Sequence, residues 1–157
     1  MLLRLGRPVR RIKPVSLNFN ASVPIDDTPV TAVGLGVRRQ GMRPVFLLNE
    51  VRLNAIGYEN CTGGEDHDWN TDIIVDKHMQ CAGRWGGAIC SGDSGGPLIV
   101  KGRRANEDVQ VGTASFTGRI CWYWRYPSVF IKTSGHEAWV KETICTESEV
   151  PPSFCGE

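Results

Sequence analysis

What this 157-residue sequence lacks excludes several classes of function. No apolar run approaches the roughly 20 residues a helix needs to span a bilayer. The apolar start Met1-Leu2-Leu3 is broken by Arg4, well short of the roughly 7 to 15 apolar residues of a secretory leader. There is no Cys-x-x-Cys pair, so the close ligand pairs of structural zinc sites are missing, and neither a metal nor a cofactor is expected. An excess of one charge is also missing. The net charge of +1 gives neither nucleic acid nor a membrane surface a reason to bind. Arg4, Arg7, Arg10, Arg11 and Lys13 are spaced through a linker-like stretch and read as solvation. Histidine is scarce, with only His67, His78 and His136, and each reads as a surface or structural residue. No internal repeat or low-complexity segment occurs.

What remains is ordinary globular composition. With 41% hydrophobic and 22% charged residues, the chain has the balance and length of one folded domain. Short apolar stretches alternate with Gly, Pro, Asn and Asp clusters, the pattern of an antiparallel barrel or sandwich. Val30 to Val37, Val45 to Leu53, Ile73 to Gln80, Leu98 to Gly102, Val109 to Phe116 and Pro127 to Lys132 are the six strand candidates. Val51, Leu53 and Ala55 alternate with Arg52 and Asn54, which predicts one buried and one wet face. Ser134-Gly135-His136-Glu137 has the form of a capping box, and a helix is expected from about Gly135 to Cys145. The residues from Thr146 to Glu157 read as a tail.

Six cysteines, an even number, point to disulfides and an oxidising compartment. Asn20-Ala21-Ser22 and Asn60-Cys61-Thr62 are N-glycosylation sequons. A secretory cysteine pattern without a leader leads to the expectation that the natural polypeptide begins further upstream.

The most informative stretch is Cys90-Ser91-Gly92-Asp93-Ser94-Gly95-Gly96-Pro97-Leu98. Its serine stands among small residues that leave the hydroxyl accessible. Glycine at 92 lets the backbone N–H groups of Gly92 and Ser94 converge where the oxyanion of an acyl-transfer intermediate forms. Asp93 between them would lock the loop on meeting a cation. Gly92-Asp93-Ser94-Gly95-Gly96 also satisfies the Gly-x-Ser-x-Gly elbow of α/β-hydrolases, with His136 as base, but that fold needs a βαβ framework the chain lacks. The remaining competitor is a glycine-rich turn with an incidental serine.

Gly-Asp-Ser-Gly-Gly-Pro resembles the nucleophile motif of the chymotrypsin-like, or trypsin-family, serine proteases. The resemblance extends in order from Met1 to about Ile144. Leu2-Leu3-Arg4-Leu5 resembles the strand after the family's catalytic aspartate, and Ile12 to Leu17 the inter-barrel linker. Thr31 to Gly36, Leu48 to Leu53, Met79 to Gly83, Val111 to Phe116 and Tyr126 to Phe130 resemble strands of its second barrel, and Ser134 to Ile144 its terminal helix.

The resemblance implies an all-β fold, a chymotrypsin-like six-stranded Greek-key barrel with a C-terminal helix. Residues 1–28 would be the last strand of the first barrel and the linker, 29–133 the second barrel, 134–145 the helix and 146–157 the tail. It further implies Ser94 as nucleophile, Gly92 as an oxyanion N–H and Asp93 in the activation-loop ion pair. Ala88 and Ile89 would line the base of the substrate pocket, with Ser91 at the nucleophile loop, Ser115, Phe116 and Thr117 along one wall and Ser128 on the other. Ala88 stands where trypsins carry aspartate, so the expected substrate side chain is small or medium and apolar. An acidic side chain is the alternative if Arg125 approaches the pocket.

Disulfides Cys61–Cys81 and Cys90–Cys121 are implied by the resemblance. Cys145 and Cys155 are left for each other or for upstream cysteines. Val30 and Val100 stand where a third family bridge is common. The family's catalytic histidine and aspartate fall upstream of Met1, so this chain alone is expected to be inactive. The parent would be a secreted serine endopeptidase. Its partners would be protein or peptide substrates, protein inhibitors and the missing N-terminal barrel. The competing class is a non-catalytic homologue or fragment that serves as a binding module. The acidic loop at 62–80 reads as a solvated insertion, or as a calcium-binding or substrate-contacting loop. Trp122-Tyr123-Trp124 with Tyr126 reads as loop packing or as an exosite for a macromolecular substrate.

Overall fold

The computed structural model describes every residue except 1, 8, 40, 44–45, 64–74, 119–120, 122–126 and 157. The period-two pattern of Val51 to Ala55 is realised in strand β3. Leu53 and Ala55 are each 1% exposed, whereas Arg52 and Asn54 face water. β3 (Asn49–Ile56) follows a short parallel strand β1 (Ser16–Leu17) and β2 (Pro29–Gly34). A one-and-a-half-turn helix α1 (Tyr58–Gly63) precedes β4 (Met79–Gly83), β5 (Pro97–Val100), β6 (Val109–Phe116) and β7 (Ser128–Lys132). Helix α2 (Glu137–Glu147) completes the order, with a 3-10 turn at Ser153–Gly156 beyond it.

Six of the strands form a closed antiparallel barrel. The ring runs β2-β3-β4-β7-β6-β5, and β5 returns to β2 through Thr31 opposite Ile99 and Ala32 opposite Leu98. Closure leaves none of the six with an unpaired edge. β1 adds to β6 in parallel outside the ring. Ladder irregularities at Leu98/Ile99 and at Ala114/Phe116 bend β5 and β6, the usual device for turning a sheet into a barrel.

The interior is filled by Val30, Leu53, Ile89, Leu98, Val111 and Phe130 with small alanines between them. Val30 is 1% exposed, and the partly buried Val100 packs against the same cluster. A second cluster surrounds Cys61 and Cys81 with Val75 and Val129. A third joins Val37 to the bridged Cys90 and Cys121.

Several element boundaries differ from those expected, and β2 stops at Gly34 instead of Val37 and β5 at Val100 instead of Gly102. β3 lies later than Val45 to Leu53, because Phe46, Leu47 and Leu48 are 69% exposed or more and the apolar run that suggested a strand is not core. β4 begins at Met79 instead of Ile73. Of that expected strand, Ile73 and Ile74 lie outside the described residues, and Lys77-His78 form a turn. The α-helix begins at Glu137, since Ser134–His136 is a 3-10 turn with Thr133 at its N-cap, and no side chain caps either start. The capping box at Ser134 is therefore not formed. Residues 2–5, expected as a strand, pair with no strand among the described residues.

Candidate active site

Three bridges hold the loops around the barrel: Cys61–Cys81, Cys90–Cys121 and Cys145–Cys155. The second fixes the start of the loop that carries Ser94, and Ser94 itself is exposed at its tip.

The loop owes its shape to alternate backbone bonds. Asp93 N–H donates to the Cys90 carbonyl at 3.0 Å, Gly95 N–H to Ala114 at 2.9 Å and Gly96 N–H to Asp93 at 2.9 Å. The Ser91 carbonyl accepts from Val37 N–H at 2.9 Å. The N–H groups of Gly92 and Ser94 take no acceptor among the described residues. Two unclaimed donors therefore flank the serine, one of them its own. Gly92 has φ 97° and Gly95 φ 81°, the left-handed region that glycine enters without penalty. At 92 the requirement is doubled, because an added Cβ would lie 3.0 Å from Gly36 Cα.

Asp93 is held by backbone alone. Its Oδ1 accepts from Gly36 N–H at 2.8 Å and its Oδ2 from Cys90 N–H at 2.9 Å. Among the described residues no cation pairs with it. Gly34 and Gly36 make room for the carboxylate: a Cβ on Gly34 would overlap it, and one on Gly36 would lie 2.5 Å from Oδ1. These glycines end β2 and begin its following turn.

Beneath the loop lies a cavity of about 220 Å³, lined by Gly36, Glu50, Ala88, Ile89, Asp93 and Ala114 among others. At its rim the Lys101 ammonium, 2.6 Å from Glu50, holds the Glu50 carboxyl below its ordinary pKa, first through their hydrogen bond and then through charge, with Arg52 adding a little.

Ala88 and Ile89 thus share a cavity with Asp93, whereas Ser91, Ser115, Phe116, Thr117 and Ser128 are not part of its lining. Ile89 is 4% exposed and packs in the barrel core. The Ser128 hydroxyl accepts from Ile89 N–H at 3.0 Å and the residue is wholly buried, so it positions the irregular segment that leads to the nucleophile loop. Phe116 packs on the cluster around Cys61 and Cys81. Thr117 Oγ1 is buried without a partner among the described residues. Ser91 is exposed beside Gly92.

His78 and His136 are exposed at the other end of β7: Lys132 N–H donates to the His78 carbonyl, and His136 follows Thr133. His67, Arg125, the aromatic run at 122–124 and most of the acidic loop lie outside the described residues.

The family model for Trypsin matches residues 1–140. The chain belongs to the trypsin family. Among its relatives, a snake venom serine protease, KN14, of Trimeresurus stejnegeri is 30% identical over 159 residues, covering 96% of this chain and 55% of that protein. The CLIP domain-containing serine protease B10 of Anopheles gambiae is 30% identical over 91% of this chain and 38% of its own length. Granzyme M of Homo sapiens is 28% identical over 87% of this chain and 51% of its own. The chain thus spans about half the length, or less, of these trypsin-family relatives. The closed barrel with its C-terminal helix is the chymotrypsin fold, and the family is one of serine peptidases.

Proposed function

We propose that residues 1–157 form the nucleophile-bearing half of a secreted serine endopeptidase. Residues 1–28 would link this half to a first barrel, 29–133 would be the second barrel, 134–145 its helix and 146–157 a tail. The observation that carries the reading is the loop itself: an exposed Ser94 flanked by two N–H donors with no acceptor among the described residues, locked from behind by Asp93. Ser94 Oγ attacks the scissile carbonyl and forms the acyl-enzyme, while the N–H groups of Gly92 and Ser94 hold the oxyanion.

The general base and its orienting carboxylate would come from polypeptide outside these 157 residues, because none of His67, His78 and His136 stands in the sequence context of the family's catalytic histidine. Residues 1–157 alone therefore do not hydrolyse peptides. The substrate is a protein cut after a small or medium apolar residue. A basic side chain would find Ala88 where a carboxylate is needed, and an unpaired buried cation costs several kcal/mol. Protein inhibitors would bind the same cleft. Passage through an oxidising secretory compartment is supported by the absence of any free cysteine among the six.

The test is covalent labelling of Ser94 by a fluorophosphonate, in the longer natural polypeptide and in residues 1–157 alone. Fast labelling of the former and none of the latter is expected. Ser94→Ala should lower turnover of the longer form on the order of a million-fold. Equal labelling of both would refute the missing-base argument, and labelling of neither would favour the non-catalytic binding module.

A further inference from the structure

The two sequons have different surroundings. Asn20, Ala21 and Ser22 are all exposed. Asn20 Oδ1 accepts from Ser22 N–H at 2.9 Å, closing an Asx-turn, while its Nδ2 takes no acceptor among the described residues. The turn is fixed from below by Asn18, which is 9% exposed. Asn18 Nδ2 donates to the carbonyls of Asn20 and Val23 at 2.9 and 3.0 Å, and its Oδ1 accepts from Asn20 N–H at 3.2 Å.

Asn60 is placed differently. It lies within α1, and its Nδ2 donates to Asp26 Oδ2 at 2.6 Å, a short charge-assisted bond. The other oxygen of Asp26 accepts from Gly57 N–H at 2.7 Å. The middle residue of that sequon, Cys61, is 1% exposed and bridged to Cys81. A sugar on Asn60 Nδ2 would have to fit beside the Asp26 carboxylate and against a buried half-cystine.

We propose that Asn20 is an N-glycosylation site of the folded, secreted protein and that Asn60 is left unmodified. The proposal rests on the secretory reading above. The donor is a lipid-linked diphospho-oligosaccharide, the glycosyl donor of that compartment. Asn20 Nδ2 forms a bond to sugar C1 as the C1–O bond to phosphate breaks. The diphosphate leaves with the electron pair, and Nδ2 gives up one proton.

The glycan stands clear of the candidate active site. Asn18 N–H donates to the Gln110 carbonyl at 2.9 Å, which puts the turn at the start of β6. The nucleophile loop is bonded to Ala114, four residues and about 13 Å further along that strand. Beneath the turn, Phe19 receives the Lys141 ammonium of α2 at 5.3 Å from its ring centroid, so the sugar projects from an anchored segment.

The experiment is expression of the longer natural polypeptide through a eukaryotic secretory pathway, with peptide N-glycosidase digestion and mass mapping of both sequons. The expected result is conversion of Asn20 to Asp on enzymatic release of the glycan, with Asn60 unchanged. Asn20→Gln and Ser22→Ala should each remove the mobility shift, whereas Ser22→Thr and Asn60→Gln should retain it. Fluorophosphonate labelling of Ser94 should be the same with and without the glycan. Three intact disulfides with an unmodified Asn20, or a glycan on Asn60, would overturn the proposal alone. Recovery of the protein with free thiols would overturn the secretory reading and the proposal with it.

Discussion

Replacing Gly36 by alanine should damage the nucleophile loop through one carboxylate. The new Cβ would lie 2.5, 2.6 and 2.8 Å from Oδ1, Cγ and Oδ2 of Asp93, and a short side chain with both oxygens engaged cannot swing aside without losing its bonds. Those bonds, to Gly36 N–H and Cys90 N–H, are charge-assisted and worth about 1.5 to 3 kcal/mol each. The half-buried setting of Asp93 favours the lower figure, so Asp93→Ala should cost about 3 kcal/mol. Gly36→Ala should cost about the same, because the carboxylate relieves the clash by moving away and forfeits the same two bonds. The double variant removes the clash along with the carboxylate, so it too should cost about 3 kcal/mol and not about 6, a coupling of about 3 kcal/mol. Denaturant midpoints of the disulfide-intact protein measure all four corners of the cycle, and amide exchange at Cys90 reports the loop directly. Additive costs would refute the argument, since they would mean that Gly36 and Asp93 act through separate contacts.

Two further outcomes are expected. Ser128→Ala strands the buried Ile89 N–H and should cost about 1 to 3 kcal/mol, with faster exchange of the Ile89 amide; an unchanged denaturation midpoint would remove Ser128 from its positioning role. Glu50 should titrate below the ordinary glutamate range because of Lys101. Since its folded-state pKa is depressed, the stabilisation it contributes is present above the ordinary glutamate value and is lost as pH falls through the depressed one. Lys101→Met should return the Glu50 carbonyl carbon titration, followed by NMR, towards the ordinary value, and an unmoved midpoint would count against the pairing.

Local patterns predicted the regular parts of the fold and misjudged the places where tertiary contacts decide. β6 occupies the expected Val109 to Phe116 because its buried positions match its apolar ones. β3 does not begin at Val45, because sequence cannot distinguish an apolar run that packs from one that stays exposed, such as Phe46 to Leu48. The Ser134 capping box had the right residue types, but a 3-10 turn took the first three positions. The motif around Ser94 was legible as chemistry from residue types alone. Its mechanical support was not, because Gly36 lies 57 positions from Asp93 and no local pattern relates the two. Ser128 shows the same limit: its hydroxyl bonds a backbone N–H 39 positions away, a contact that no local pattern indicates.

The return of β5 to β2 also orders events in time. Thr31 meets Ile99 across 68 positions, one of the longest loops the chain must close, and such pairings carry an entropic cost that local turns avoid. Gly36 lies just past the end of β2, and Ser94 stands just before β5. Asp93 can find its backbone partner only once those two strands have met. A chain in which β2 and β5 have not paired would therefore carry the nucleophile on a loop without the Gly36–Asp93 bond. The nucleophile loop would thus reach its final shape only after that long-range pairing has formed.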